Sequence, residues 1–191
     1  MNKNTIKNNY KDISDDVIDI LDRLDVITYN HSLRVYKLAQ YIEKEFNYKD
    51  KELSEAALLH DIGKYYISEN ILNKPDNLNI IERKIIDLHS YLSYYILKTN
   101  NINKNVCEIV LYHHNNNPPT LEDIGPINIS DELKEKVIIL KTLDIYDALI
   151  SDRPYKRGFK KATVIEIMKD MKDVDNKVLQ YLSNTTEFDR K

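Results

Sequence analysis

Apolar residues return every third or fourth position through one stretch of this chain after another, and no stretch alternates apolar with polar side chains. That spacing lines one face of an α-helix and would scatter around a β-strand. Only 3 glycines and 5 prolines punctuate the 191 residues, too few for a turn-rich sheet fold. The length suits one domain and is enough to bury a core without disulfide or metal staples. The expectation is therefore all-α, a single-domain helical bundle over residues 13–191. The first 12 residues, rich in Asn and Lys, read as a flexible leader without the apolar core of a signal peptide.

Within the bundle, Ser14 is placed to cap a helix from about Asp15 to Ile27, with Asp15 and Asp16 in its first turn. A second helix is expected from near Asn30 to Phe46, striped by Val35, Leu38, Ile42 and Phe46. A third spans Lys51 to His60, and Gly63 is placed to end it in a left-handed conformation. Ser68 to Leu78 reads as a loop around Pro75. Asn79 and Glu82 have capping-box spacing and open a long helix to about Lys98, with Ile81, Ile85, Leu88, Leu92 and Ile96 as its apolar stripe. A short helix ends at His113-His114, an irregular stretch covers Asn115 to Ser130, and a long helix runs from Asp131 to about Ser151. A charged loop, Asp152 to Gly158, precedes one or two amphipathic helices from about Ala162.

A net charge of -3 with no basic stripe gives no basis for nonspecific binding to duplex nucleic acid or to a membrane surface. No apolar run approaches the roughly 20 residues of a membrane span. Cys107, the one cysteine, cannot form an intramolecular disulfide and is spaced as a core residue, which fits a cytoplasmic protein. No feature sets an oligomeric state.

The chemistry gathers in Leu58-Leu59-His60-Asp61-Ile62-Gly63-Lys64, where an imidazole, a carboxylate and an ammonium fall within five positions. The other histidines, His31, His89, His113 and His114, also fall at helix starts, helix ends or apolar faces. Asp144 lies on an otherwise apolar helix face, where a carboxylate is costly unless paired or metal-bound. Imidazoles and carboxylates without thiolates suit Fe, Mn, Ni, Co or Zn. Seven candidate ligands exceed what one ion can use while leaving room for water and substrate, so two divalent transition-metal ions fit better. Such a pair can share a hydroxide and clamp a phosphoryl oxygen, which points to phosphoester hydrolysis. Lys64, Arg153 and Lys156 are candidates to neutralise the phosphate. Asp61 and Lys64 are the residues expected to act in catalysis. The chain offers no Gly-rich phosphate loop and no Ser-His-Asp arrangement.

The order of these motifs resembles the HD superfamily of metal-dependent phosphohydrolases, and within it the HD-GYP branch. The matching blocks are His31-Ser32-Leu33-Arg34-Val35, Leu58 to Lys64, Ile71 to Pro75, Glu82 with Ile86 and His89, His113-His114, Leu143 to Leu149, and Ser151 to Lys156. The resemblance implies a first metal set of His31, His60, Asp61 and Asp144, and a second-metal set of His89, His113 and His114, with Asp61 bridging. It also implies that Lys64, Arg153 and Lys156 contact the phosphates of a cyclic dinucleotide. The chain departs from the branch after His114, where Asn115-Asn116-Asn117-Pro118-Pro119 replaces a Glu and a Gly-Tyr-Pro loop. Ile27 stands where three-metal members carry a Glu, so a third ion is not expected. Two function classes follow: a hydrolase acting on a nucleotide phosphodiester or phosphomonoester, cyclic dinucleotides included, or a metal- and nucleotide-binding sensor with little turnover.

Overall fold

The computed structural model describes residues 13–114, 129–152 and 157–185. The leader at 1–12, Asn115 to Pro119, Arg153 and Lys156 lie outside them. Among the described residues there are helices and no strands. In chain order they are α1 (Asp15–Asp22), α2 (Val26–Glu45), α3 (Glu52–Leu59), a 3-10 helix (Ile62–Tyr66), α4 (Glu69–Leu72), α5 (Ile80–Asp87), α6 (His89–Thr99), α7 (Lys104–Tyr112), α8 (Asp131–Ile150), α9 (Lys161–Lys169) and α10 (Asn176–Asn184). No described helix is long and apolar enough to cross a membrane.

The short α3 is the axis of the bundle. It packs against α2, α7 and α8, and Leu53, Ala56, Ala57, Leu58 and Leu59 are all fully buried. A helix that is apolar nearly all round belongs in the interior, and the two alanines let its neighbours approach closely. Its start is capped from elsewhere. Lys51 makes no side-chain cap bond, and the Ser54 amide instead donates to Glu43 Oε1 of α2 at 2.7 Å. Buried Lys136 of α8 reaches Glu52 at 2.7 Å and both Asp50 oxygens at 3.0 Å, tying α8 to the same end. The far end of α3 therefore has a fixed position, and it delivers His60 and Asp61.

Several boundaries differ from expectation, each for a local reason. Ile27 belongs to α2, because Asp25 caps that helix by accepting from the Ile27 and Thr28 amides at 3.0 and 3.1 Å. The loop around Pro75 contains the single turn α4. The Asn79–Glu82 capping box forms, but the long helix it opens is broken at Leu88. There the Leu88 amide bonds the Ile85 carbonyl, one residue short of its α-helical partner. Ile80 and Ile81, the latter expected in the buried stripe, are 77% and 70% exposed. Gly63 has no positive φ; it sits inside the 3-10 helix. Glycine is required there by proximity, since a Cβ would fall 2.3 Å from the His89 carbonyl oxygen and 2.5 Å from the Ser93 nitrogen. Ser130 caps α8 by accepting from the Leu133 amide, and α9 and α10 pack on α8.

Candidate metal centre

Three of the histidines reach the interior by the same device. His60 is the C-cap of α3, His113 is the C-cap of α7, and His89 lies just beyond the end of α5. The last carbonyls of a helix have no ladder partner. Here they accept from the rings: His60 Nδ1 to the Ala57 carbonyl at 2.8 Å, His89 Nδ1 to Ile86 at 2.5 Å and His113 Nδ1 to Val110 at 2.6 Å. A carbonyl only accepts, so each ring carries its proton on Nδ1 and turns a bare Nε2 inward. Ser93 fixes the corner after His60, accepting from the Gly63 amide at 2.8 Å and donating to the His60 carbonyl at 2.7 Å.

Imidazole Nε2 atoms converge on two carboxylates. Asp61 Oδ1 lies 3.3 Å from His89 Nε2, and its Oδ2 lies 3.5 Å from His60 Nε2 and 3.8 Å from His31 Nε2. Asp144 Oδ1 is 2.9 Å from His31 Nε2 and 3.9 Å from His60 Nε2, and Oδ2 is 3.7 Å from His114 Nε2. His113 joins through ring contacts, with centroids 5.1 Å from His60, 5.4 Å from His89 and 4.0 Å from His114. All seven expected ligands are thus brought together. Their donor atoms fall into overlapping groups within 4.8 Å: His31, His60 and Asp61; His60, His113 and Asp144; His89, His113 and His114.

His60 Nε2, His89 Nε2, His113 Nε2 and Asp61 Oδ1 are buried without a hydrogen-bond partner. Each such atom costs about 1–3 kcal/mol. Lone pairs of imidazole and carboxylate face each other across distances suited to an intervening cation, and the donor set is one that divalent metals take. The residues therefore fit a metal. Burial holds the rings neutral: it pushes His89 down to about 3, lowers His60, and, with the neighbouring histidines, takes His113 well below its ordinary value. Burial opposes ionisation of Asp61 too, but the Lys64 ammonium beside it is the chief cause that holds the carboxyl well below its usual range. Asp144 is held low in the same way, chiefly by the His31 hydrogen bond against the cost of burial. Lys64 Nζ sits 2.6 Å from Asp61 Oδ2.

His31 is the exception. Burial lowers its pKa, but hydrogen bonds to Asp144 and Asp147 raise it to about 9 overall. Asp147 meets His31 Nδ1 at 2.7 Å and accepts from Arg34 Nε at 2.7 Å and Nη2 at 2.9 Å. The sequence reading gave no role to Asp147 or Arg34. The available signal was spacing: each lies three residues beyond an expected ligand, on the same helix face. A groove of about 710 Å³ lined by Ile150, Phe159, Ile165 and Thr185 includes none of the seven expected ligands.

Residues 28–149 match the HD domain family model. The chain belongs to the HD domain family. The resemblance read from its motif order is borne out. This HD domain is 34% identical over 142 residues to the cyclic di-GMP phosphodiesterase PdeB of Borreliella burgdorferi, covering 72% of this chain and 36% of that protein. It is 31% identical over 154 residues to the 3'3'-cGAMP-specific phosphodiesterase 1 of Vibrio cholerae, covering 79% and 35%. The chain thus spans about a third of the length of these curated relatives. Its fold is similar to the HD domain of the L. monocytogenes phosphodiesterase PgpH in complex with cyclic-di-AMP, with a TM-score of 0.63 at 19% identity, covering 90% of this chain and 94% of that one.

Proposed function

We propose that this HD domain is a binuclear metal-dependent phosphodiesterase whose substrate is a cyclic dinucleotide or a related nucleotide phosphoester. The observation that carries the reading is the set of buried, partnerless donors, three imidazole Nε2 atoms and Asp61 Oδ1, converging from three helix ends. His31, His60, Asp61 and Asp144 would hold one ion; His89, His113 and His114, with Asp61 shared, would hold the other. Asp61 suits the shared position because its two oxygens face different histidines. Bound Fe, Mn, Ni, Co or Zn would supply a nucleophilic water at neutral pH and Lewis acidity at the phosphoryl group.

The chain's own residues divide the remaining work. The helix-end carbonyls keep three imidazoles in the metal-accepting tautomer. Lys64, partly exposed beside Asp61, would neutralise a phosphate oxygen, a role the motif order also assigns to Arg153 and Lys156. The curated relatives named above act on cyclic di-GMP and 3'3'-cGAMP, which supports the substrate class. A cytoplasmic setting is part of this reading and is supported by the lone buried thiol of Cys107.

The test is a panel of cyclic dinucleotides, with bis-p-nitrophenyl phosphate as a generic diester, given to protein reconstituted with each metal. Hydrolysis that is lost in His60→Ala and Asp61→Ala, together with about two ions per chain, is the expected result. A protein that binds cyclic dinucleotides without turnover would support the sensor reading suggested by the Asn115 to Pro119 replacement. One ion or none in protein supplied with Mn or Fe would overturn the binuclear centre.

A further inference from the structure

We propose that Asp147, clamped by Arg34, is the positioning residue that presents His31 to the metal centre, an inference that rests on the metal-centre reading above. His60, His89 and His113 each stand at or just past a helix end and give their Nδ1 proton to a carbonyl that the helix leaves over. His31 has no such carbonyl within reach of its own turn. It lies inside α2 (Val26–Glu45), where the ladder uses the backbone acceptors. Its Nδ1 is taken instead by Asp147 Oδ2 at 2.7 Å.

Asp147 is 2% exposed and is itself held from several sides. Arg34 donates through Nε to Oδ1 at 2.7 Å and through Nη2 to Oδ2 at 2.9 Å, and Ser151 Oγ donates to Oδ1 at 3.1 Å. A guanidinium fork fixes the plane of a carboxylate as well as its position. With His31 included, four donors meet two oxygens, so the carboxylate cannot turn without losing several bonds. The partners form a cassette from one turn of each of two packed helices. His31 and Asp144 face the other ligands; Arg34 and Asp147, each three residues on, face one another. Held at Nδ1, the His31 ring presents Nε2 to the side occupied by Asp144 Oδ1 at 2.9 Å and Asp61 Oδ2 at 3.8 Å. The rings of His60, His89 and His113 are oriented by backbone, and this one by a buried carboxylate on a neighbouring helix.

The test compares the wild type with Asp147→Asn, Arg34→Lys and Arg34→Ala. Metal affinity is measured by competition with a chromogenic chelator, the ligand field by the cobalt(II) absorption spectrum, and fold by circular dichroism of chelator-stripped protein. Asparagine keeps the shape of Asp147 but replaces one oxygen with an NH2 donor. The Arg34 fork loses a prong in either orientation, and with the NH2 toward His31 the ring proton is driven onto Nε2. Asp147→Asn is expected to stay folded, to bind metal about 10- to 100-fold more weakly, and to show a cobalt spectrum with one nitrogen ligand altered. Arg34→Lys, which keeps charge but not the fork, is expected to fall between Arg34→Ala and the wild type. Wild-type affinity and spectrum in Asp147→Asn and in both Arg34 variants would overturn this inference while the wild type still loads normally. Weaker loading with an unchanged cobalt spectrum would reduce Asp147 to a packing role and overturn it as well. A wild-type protein that takes up no metal would instead overturn the reading beneath it.

Discussion

His89 Nε2 and Asp61 Oδ1 lie 3.3 Å apart while the ring proton is committed to the Ile86 carbonyl on the far side, so two lone pairs oppose each other in a buried gap. A divalent cation held by these residues would relieve that repulsion. Lys64 meets the other Asp61 oxygen at 2.6 Å. Replacing it with alanine is predicted to leave metal stoichiometry intact while lowering kcat/KM for a phosphodiester by about 10²–10³-fold; an unchanged rate at full loading would remove Lys64 from the reaction. The same variant should destabilise stripped protein by about 1–3 kcal/mol, because a buried carboxylate loses its partly exposed partner, and added metal should restore the loss. Thermal melts with and without metal read both effects. The clustering of these side chains was legible in the sequence, because imidazoles and a carboxylate on apolar faces have few inexpensive fates. Asp147 was not: a second carboxylate one turn past Asp144 looks like ordinary helix polarity until Arg34 and His31 are seen to converge on it.

Helix ends, more than helix faces, build this site. His60 and His113 are C-caps, and His89 opens a helix at the break after Leu88. The sequence showed which segments are helical, since 3.6-residue spacing is local information. It did not show the break at Leu88 or the Asp25 cap, because each is decided by one or two local hydrogen bonds against a continuing apolar stripe. It also assigned Gly63 to the wrong cause, since the crowding there comes from α6, distant in sequence. Gly63→Ala should therefore force the 3-10 helix away from α6, costing about 2–4 kcal/mol, toward the upper range for point substitutions, and weakening metal uptake through His89. A melting temperature within a degree of wild type would contradict this. Glu43 carries a separate prediction. Burial raises its pKa above 4.5, with the Ser54 hydrogen bonds opposing. A raised native pKa means that the stability it contributes is full below pH 4.5 and is lost as pH rises through the native value. Glu43→Gln retains an acceptor for the Ser54 amide and avoids that loss, so at pH 7 its melting temperature should exceed wild type by about 2–4 °C. The difference should vanish near pH 4, and an advantage that persists there would show that the gain is not electrostatic.

For the whole molecule, the donors come from α2, the end of α3, the start of α6, the end of α7 and α8, so the centre exists only when all five are docked. Anything binding the native state alone stabilises it by mass action, by about 2.7 kcal/mol at a free concentration one hundred times Kd. Melting temperature should thus climb with the logarithm of metal concentration and fall on chelation; a chelator-insensitive melt would mean that the donors are spectators to stability. The all-α bundle was legible from periodicity and from the scarcity of glycine and proline, whereas the order in which helices surround α3 depends on contacts that spacing does not encode. The central place of α3 has a kinetic consequence. Its interior is covered only once α8, joined late in the chain, packs on it and brings Asp144 to His31. Refolding from denaturant in the presence of cobalt should therefore show helical signal first and the visible absorption of the full ligand set only in the slowest phase, making the colour of the ion a timer for the final docking step.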